Sequence, residues 1–449
     1  MKLFPFQQKA LQQTQNHNRC AYYLDMGLGK TFVGAEKMHQ LGNRVNIVVC
    51  QKNKVDDWIE HFKENYDVSV FDLTNKKEVE CFKLWIEAES PYPASKVICV
   101  GVINYDLLYR RSYFSHISDF TLLLDESSVI QNETAKRSKF ILKMNPQNVI
   151  LLSGTPTSGK YEKLWSQLHL LGWNISKKLF YSQYVEQEWI EDKHSGFRIP
   201  VIVGYKNVDR LKAKLASYGA IFMKSEEVFD LPEQQEITVK VSATKAYKKF
   251  MKDSYLMLDT LNCCEFKDDS DYYGTDTTPR AELIGDTGLA KKLYARQLCG
   301  QYNKEKLGKF RELLESTEDR LIVFYNYNEE LARLKNIALD YTDHISVIRG
   351  DEKDLTAYEQ FEDSITFVQY QAGAMGVNLQ KANKIIYFTL TDRSELFEQS
   401  KKRTHRIGQD RTCFYYYLVC TGSVEERIRD TLQMRKDYND ALFEKEYCS

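Results

Sequence analysis

Hydrophobic and polar positions along this chain fall into two blocks of the same kind. In the first half, apolar runs of strand length stand at Val45–Cys50, Val97–Val100, Leu122–Leu124 and Val149–Leu152, preceded by the run Ala21–Leu24. Amphipathic stretches lie between them, for example Phe32–Leu41, Val55–Asn65 and Val79–Glu89. Short, wholly apolar strands alternating with helices predict a parallel sheet covered on both faces. The second block repeats the pattern, with strands predicted at Leu321–Tyr325, Ser346–Ile348, Thr366–Gln369, Lys384–Thr389 and Phe414–Val419. Lys304–Ser316 precedes it as a helix, and a charged helix over Arg427–Phe443 closes the chain. No repeat is visible by residue identity, so the expectation is two similar α/β folds of unrelated sequence.

The stretch between the blocks reads differently. Thr157–Tyr255 is rich in Lys, Tyr, Trp and helix formers, with a hairpin expected near Ile199–Gly204. Leu231-Pro232-Glu233 reads as a linker, and the polar, acidic, glycine-bearing Cys264–Arg280 as a mobile loop. At 449 residues the chain has room for about two to four domains. An apolar content of 43% excludes a disordered chain. The net charge of −1 means that any nucleic-acid site is a local basic cleft beside acidic surface. No apolar run reaches membrane-span length, and Met1–Asn16 turns polar too early for a signal peptide, so the chain reads as cytoplasmic with no membrane partner. Ten cysteines and eight histidines lie dispersed without metal-ligand spacing, which disfavours structural zinc and fits reduced, buried thiols.

Candidate chemistry clusters where predicted strands end. Asp25-Met26-Gly27-Leu28-Gly29-Lys30-Thr31 sits between an apolar run and a helix. A glycine-bearing turn there lets backbone N–H groups and the helix N-terminus face an anion. Lys30 would reach the β- and γ-phosphates and the Thr31 hydroxyl would hold Mg²⁺. Leu24 stands where the strict phosphate-loop pattern has glycine, and a plain helix-start turn is the competing reading. The strand Leu122–Leu124 ends in Asp125-Glu126. An Asp in that place holds Mg²⁺, and the adjacent Glu orients and deprotonates water, against an ordinary strand end with solvated acids. Ser153-Gly154-Thr155-Pro156 ends another strand, either as a sensor of the γ-phosphate or as a simple turn.

Later, Gln399, Arg403 and Arg406 are spaced four and three apart and would share one face of a helix. Two guanidinium groups and an amide suit the charge that develops on a γ-phosphate. A solvated basic helix or a phosphate-backbone clamp explains the same charge pattern. Gln7, after Pro5-Phe6, can pair with an adenine edge or simply belong to a polar helix. Gln371-Ala372-Gly373-Ala374-Met375-Gly376-Val377-Asn378-Leu379 has small residues that admit a nucleic-acid backbone or a ribose, or that pack a helix closely.

In this order, these elements resemble the Swi/Snf-type DNA-translocating ATPases of helicase superfamily two, nearly end to end. Asp25–Thr31 is identical to the usual phosphate loop of that family, and His405-Arg406-Ile407-Gly408-Gln409 is highly specific to it. Gly422–Ile428 resembles its usual tail. Ser127-Ser128 stands where the family commonly has Ala-His, and Phe4 replaces an arginine; these departures and the small size are similar to phage or prophage versions. The resemblance implies two RecA-like lobes, 1–235 and 236–449, with helical protrusions at about 157–230 and 240–303. It implies that ATP with Mg²⁺ is sandwiched between lobes: Gln7, Gly27, Leu28, Gly29, Lys30, Thr31 and Gly376 bind nucleotide, and Thr31 and Asp125 hold metal. Lys30, Glu126, Gln399, Arg403 and Arg406 would be catalytic. Duplex DNA would be gripped by its phosphates without base reading. Lys54, Trp58, Asn104, Tyr105, Lys136, Arg137, Gln371, Gly373 and Asn378 would make the contacts, although Lys136 and Arg137 also suit a solvated helix face. The expected activity is translocation on duplex DNA that remodels DNA or protein–DNA complexes, with targeting proteins as partners and single-stranded or branched DNA as a further substrate. The implied setting is a bacterial or phage-infected cell. A strand-separating helicase and a catalytically silent scaffold are the alternatives.

Overall fold

The computed structural model describes residues 2–87, 98–191, 197–259, 280–350, 352–373 and 377–443. The chain forms two compact units, 1–230 with 435–449, and 231–434.

The first unit is built on β1 (Arg19–Leu24), β2 (Val45–Cys50), β3 (Ser69–Asp72), β4 (Cys99–Asn104), β5 (Phe120–Asp125) and β6 (Asn148–Ser153). A two-stranded hairpin, β7 (Val185–Glu191) with β8 (Arg198–Tyr205), follows, and β9 (Ala220–Met223) returns to the main sheet. The seven strands are ordered β3-β4-β2-β5-β6-β1-β9, and every pairing is parallel. Successive residues point to opposite faces. Tyr23, Val49, Leu122, Leu124 and Leu151 therefore enter one core, and Tyr22, Val48, Leu123 and Leu152 enter the other. Burial on both faces explains why these strands read as unbroken apolar runs.

The second unit holds β10 (Gln234–Ser242), the hairpin β11 (Tyr255–Asp259) with β12 (Arg280–Ile284), then β13 (Leu321–Tyr325), β14 (Ile345–Arg349), β15 (Glu352–Lys353), β16 (Ile365–Gln369), β17 (Lys384–Tyr387) and β18 (Cys413–Thr421). Its sheet runs β10-β18-β17-β13-β16-β14-β15, parallel except for the short antiparallel β15. Two parallel-sheet α/β units are the fold class that the sequence pattern implied. The first inserted segment carries the hairpin expected near Ile199–Gly204, β7 with β8, beside the helices Lys177–Tyr184 and Val208–Ser217; the second carries a hairpin that was not expected, β11 with β12, beside Lys245–Asp253 and Gly288–Cys299. The expected loop Cys264–Arg280 lies outside the described residues apart from Arg280, which starts β12.

A buried ion pair anchors the second unit. Lys306 donates to both Glu425 carboxylate oxygens at 2.8 and 2.7 Å, and the Cys420 N–H reaches Glu425 Oε2 at 3.0 Å. Both side chains are shut off from solvent. Glu425 belongs to the tail segment Gly422–Ile428, which gives that segment a structural task.

Candidate functional site

In the strand order β5-β6-β1, three neighbouring carboxyl ends carry Asp125-Glu126, Ser153-Gly154 and the loop Asp25–Gly29. Ligand groups collect at this edge of a parallel sheet. Gly27 and Gly29 adopt left-handed backbone at φ 85° and 69°, and Gly29 leads directly into the helix Lys30–Leu41. A Cβ on Gly29 would lie 2.4 Å from Gln7 Nε2, so the residue must be glycine in both conformation and space. Lys30 Nζ donates to the carbonyls of Leu24 at 2.9 Å and Asp25 at 3.2 Å. It also lies beside Gly154, where a Cβ would meet it at 3.3 Å. The Asp25 carboxylate braces the loop from behind by accepting the Ser225 N–H at 3.1 Å.

Glu126 has left-handed backbone at φ 57°, unusual for a non-glycine residue and found where structure holds a side chain in place. Its Oε1 accepts hydroxyl bonds from Ser128 at 2.8 Å and Ser153 at 2.6 Å. Ser127 turns the other way and donates to Gln167 Oε1 at 2.8 Å, which also accepts the Tyr23 hydroxyl at 3.0 Å. Gln167 Nε2 donates to the Pro156 carbonyl at 2.8 Å. One fully buried amide thus ties together the ends of β1, β5 and β6. Nothing near Gln167 in the sequence marks it for this role.

Asp125 Oδ2 accepts the Trp58 indole N–H at 2.8 Å, and the Tyr105 hydroxyl donates to the Asp125 carbonyl at 2.9 Å. Burial pushes the Asp125 carboxyl above the usual carboxylate range and Glu126 adds to this, while the Trp58 hydrogen bond, Lys30 and Lys54 pull it back. These contacts correct the expectation that Trp58, Asn104 and Tyr105 touch DNA. Trp58 is 1% exposed, and Asn104 and Tyr105 are also buried, so none offers a surface to a duplex. Trp58 and Tyr105 instead support Asp125, one at its carboxylate and the other at its carbonyl. Gln7 is likewise buried, and its amide is engaged at both ends: Oε1 accepts the Phe4 N–H at 2.9 Å and Nε2 donates to the Leu28 carbonyl at 3.0 Å. It braces the glycine loop. Lys54 stays on the surface and pairs with Asp57 at 2.6 Å, Lys136 is exposed, and Arg137 lies 3.9 Å from Asp106.

In the second unit the helix Ser394–Lys401 ends two residues before Arg403. Gln399 is on that helix and buried, with Nε2 at 3.5 Å from Glu395 Oε1; Arg403 and Arg406 lie on the turns that follow. The shared helical face expected of the three is therefore absent. The helix stops because the chain turns back toward the segment leading into β17. The Leu379 N–H donates to the Arg403 carbonyl at 3.0 Å, Gln409 Nε2 donates to the Ala382 carbonyl at 2.8 Å, and Gly408 supplies a left-handed turn at φ 91°. Arg406 donates to the Asn378 side-chain oxygen. Burial lowers its guanidinium below the ordinary arginine value, and its Nε is buried without a hydrogen-bond partner. A half-buried cation held by a neutral amide suits an anion. Gln371 and Asn378 are exposed, Gly373 ends the short helix Tyr370–Gly373, and Gly376 lies outside the described residues. His405, which the sequence reading left without a role, donates from Nε2 to the Pro232 carbonyl at 2.8 Å and accepts at Nδ1 from Gln234 Nε2 at 3.1 Å. The turn with both arginines is thereby fastened to the first residues of the second unit.

Residues 10–301 match the family model described as the SNF2-related domain, and 305–408 match the helicase conserved C-terminal domain. A mouse (Mus musculus) protein named SWI/SNF-related matrix-associated actin-dependent regulator of chromatin subfamily A member 1 is 24% identical over 464 residues, covering 92% of this chain and 40% of its own length. DNA repair and recombination protein RAD26 of Saccharomyces cerevisiae is 26% identical, covering 87% of this chain and 38% of itself. The putative ATP-dependent helicase/translocase YwqA of Bacillus subtilis is 24% identical, covering 73% and 36%. The chain thus spans about two fifths of the length of these relatives. The matched domains run through the phosphate-loop turn, the paired carboxylates and the arginine turn, and the chain belongs to the SNF2-related family.

Proposed function

We propose that the chain is an ATP hydrolase stimulated by DNA, which translocates on double-stranded DNA and remodels DNA or protein–DNA complexes. The observation that carries the reading is the convergence of Lys30, Asp125, Glu126 and Ser153 at adjacent carboxyl ends of one parallel sheet. The turn Gly27–Gly29 and the N-terminus of Lys30–Leu41 receive phosphate oxygens, and Lys30 takes the terminal phosphates. Glu126, fixed by the hydroxyls of Ser128 and Ser153, orients the attacking water and accepts its proton. Arg403 and Arg406, with Gln399, stabilise the charge spreading over the transferred phosphoryl oxygens. In this reading the Ser127-Ser128 pair keeps hydrogen-bonded contact with neighbouring loops without an imidazole.

Thr31 and Asp125 fit Mg²⁺ by donor type, since both offer hard oxygen. The raised Asp125 carboxyl fits too, because a buried carboxylate without a close cation is costly and a divalent ion offsets that cost. When bound, the ion neutralises phosphate charge. Lys54, Lys136, Arg137, Gln371, Gly373 and Asn378 remain the proposed phosphate-backbone contacts, in a cell of bacterial or phage-infected type. Targeting proteins would set the location of action.

The discriminating experiment runs triplex displacement beside strand displacement. Displacement of a third strand without duplex unwinding supports translocation. Robust unwinding would favour the strand-separating alternative, which the exposed hairpin β7–β8 recommends. Lys30→Ala should abolish turnover through lost nucleotide binding, whereas Glu126→Gln should retain ATP without hydrolysing it. ATP turnover indifferent to DNA would favour the scaffold reading.

A further inference from the structure

The hairpin β7–β8 has no place in the proposed cycle, yet its foot is firmly built. The Lys206 N–H donates to the Tyr184 carbonyl at 3.2 Å, and Asn207 Nδ2 donates to the Gln183 carbonyl at 2.7 Å. Tyr205 stacks on the buried Tyr161 at 4.4 Å between ring centroids and donates to Glu162 at 2.5 Å. Opposite Glu186 and Gln187 the register skips Val203, a bulge in β8 where the hairpin leaves this anchor. Between β7 and the helix Lys177–Tyr184 lies an open surface cleft of about 840 Å³. Its lining includes Lys177, Lys178, Tyr181, Glu186, Trp189 and Lys206.

Two properties of that lining point to one ligand class. Trp189 is 67% exposed, an unusual position for the largest apolar ring, and it lies on the cleft. Among the described residues of the lining the charge is also lopsided, with three ammonium groups against the one carboxylate of Glu186. Lys177 is committed to Glu133 and sits over the Tyr181 ring at 5.7 Å, which leaves Lys178 and Lys206, both exposed, as the positive rim. A flat aromatic face flanked by cations is the recurring construction for an unpaired nucleotide, with the base on the ring and phosphates on the ammonium groups. The interior of a duplex cannot use it, because each base there is already covered on both faces by its neighbours.

We propose that this cleft binds single-stranded nucleic acid, with a base stacked on Trp189 and flanking phosphates on Lys178 and Lys206. The inference goes beyond the duplex-dependent reading above, and it holds or fails without ATP turnover. If both stand, the chain binds a duplex and a displaced strand together, and forked DNA becomes its preferred substrate.

The test uses the full chain, fluorescein-labelled oligo-dT and a blunt duplex of equal length, with affinity read by anisotropy over a range of salt. Trp189→Ala should weaken oligo-dT binding about tenfold while leaving duplex affinity and duplex-stimulated ATP turnover unchanged. Trp189→Phe should restore most of the loss, and Lys178→Glu with Lys206→Glu should flatten the salt dependence on oligo-dT by about 1.4 in log–log slope. Wild-type oligo-dT affinity in a folded Trp189→Ala variant would overturn the proposal. So would an equal fall for oligo-dT and duplex, which would mean general charge attraction, or a Trp189→Phe variant no better than alanine.

Discussion

Replacing Trp58 with phenylalanine separates two accounts of that residue. The ring stacks on Phe62 with centroids 5.7 Å apart and sits in the apolar core behind β5, a place phenylalanine can fill. The principal polar loss is the 2.8 Å indole bond to Asp125 Oδ2. A hydrogen bond to a charged acceptor contributes about 1.5–3 kcal/mol. Its loss therefore lifts the Asp125 carboxyl further. The sign follows from the causes already acting. Burial holds this carboxyl above its ordinary range and the indole pulls it down, so removing the indole moves it further up. A raised carboxyl contributes stability fully present below the ordinary carboxylate value and lost as pH rises through the folded-state value; in Trp58→Phe that loss extends to higher pH. The acid limb of kcat/KM for MgATP should shift to higher pH, with duplex affinity unchanged. An unmoved acid limb together with weakened duplex binding would refute this reasoning and return Trp58 to the DNA surface.

Asp125→Asn should raise the melting temperature of the metal-free protein near neutral pH while abolishing turnover, because it removes a poorly solvated charge and keeps an acceptor for the Trp58 indole; a lower melting temperature would count against the burial argument. Arg406→Ala should lower turnover by about 10³-fold or more with little change in nucleotide affinity, and Arg403→Ala combined with it should fall far short of the product of the single losses; wild-type rates in purified Arg406→Ala would remove it from the mechanism. Glu425→Ala should destabilise the second unit by about 3–5 kcal/mol by stranding Lys306, whereas Lys306→Met with Glu425→Leu should recover much of that loss, both read by denaturant melts. His405→Ala should release the arginine turn from Pro232 and Gln234 and lower DNA-stimulated kcat more than the KM for ATP, with His405→Gln partly rescuing it; equal losses in both parameters would mean simple misfolding.

The sequence was most legible where a feature is local. Strands β2, β5, β6, β13 and β16 are apolar on both faces, so their runs stand out without knowledge of their partners. The glycine turn and the Asp125-Glu126 pair are short strings that stand out at the ends of apolar runs. Edge strands are harder to see. β10 alternates Ile237, Val239 and Val241 with polar residues, a period-two signal that lies within the stretch Thr157–Tyr255, whose composition reads as helix-forming. β9 is only four residues long. Side-chain partners across long sequence distances were invisible: Trp58 meets Asp125 from 67 positions away, and this converts an expected surface contact into a buried brace. The helix stop after Lys401 was also hidden, since helical spacing continues into Arg403 and Arg406 and only the tertiary bonds to Leu379 and Ala382 turn the chain aside.

The most direct measurement is steady-state ATP hydrolysis by the purified chain, with and without duplex DNA, in parallel with Lys30→Ala. Hydrolysis that duplex DNA raises many-fold, that fades with added salt, and that is absent from the lysine variant is the predicted outcome. A basal rate untouched by any duplex, or a rate that survives loss of Lys30, would contradict the account at its centre.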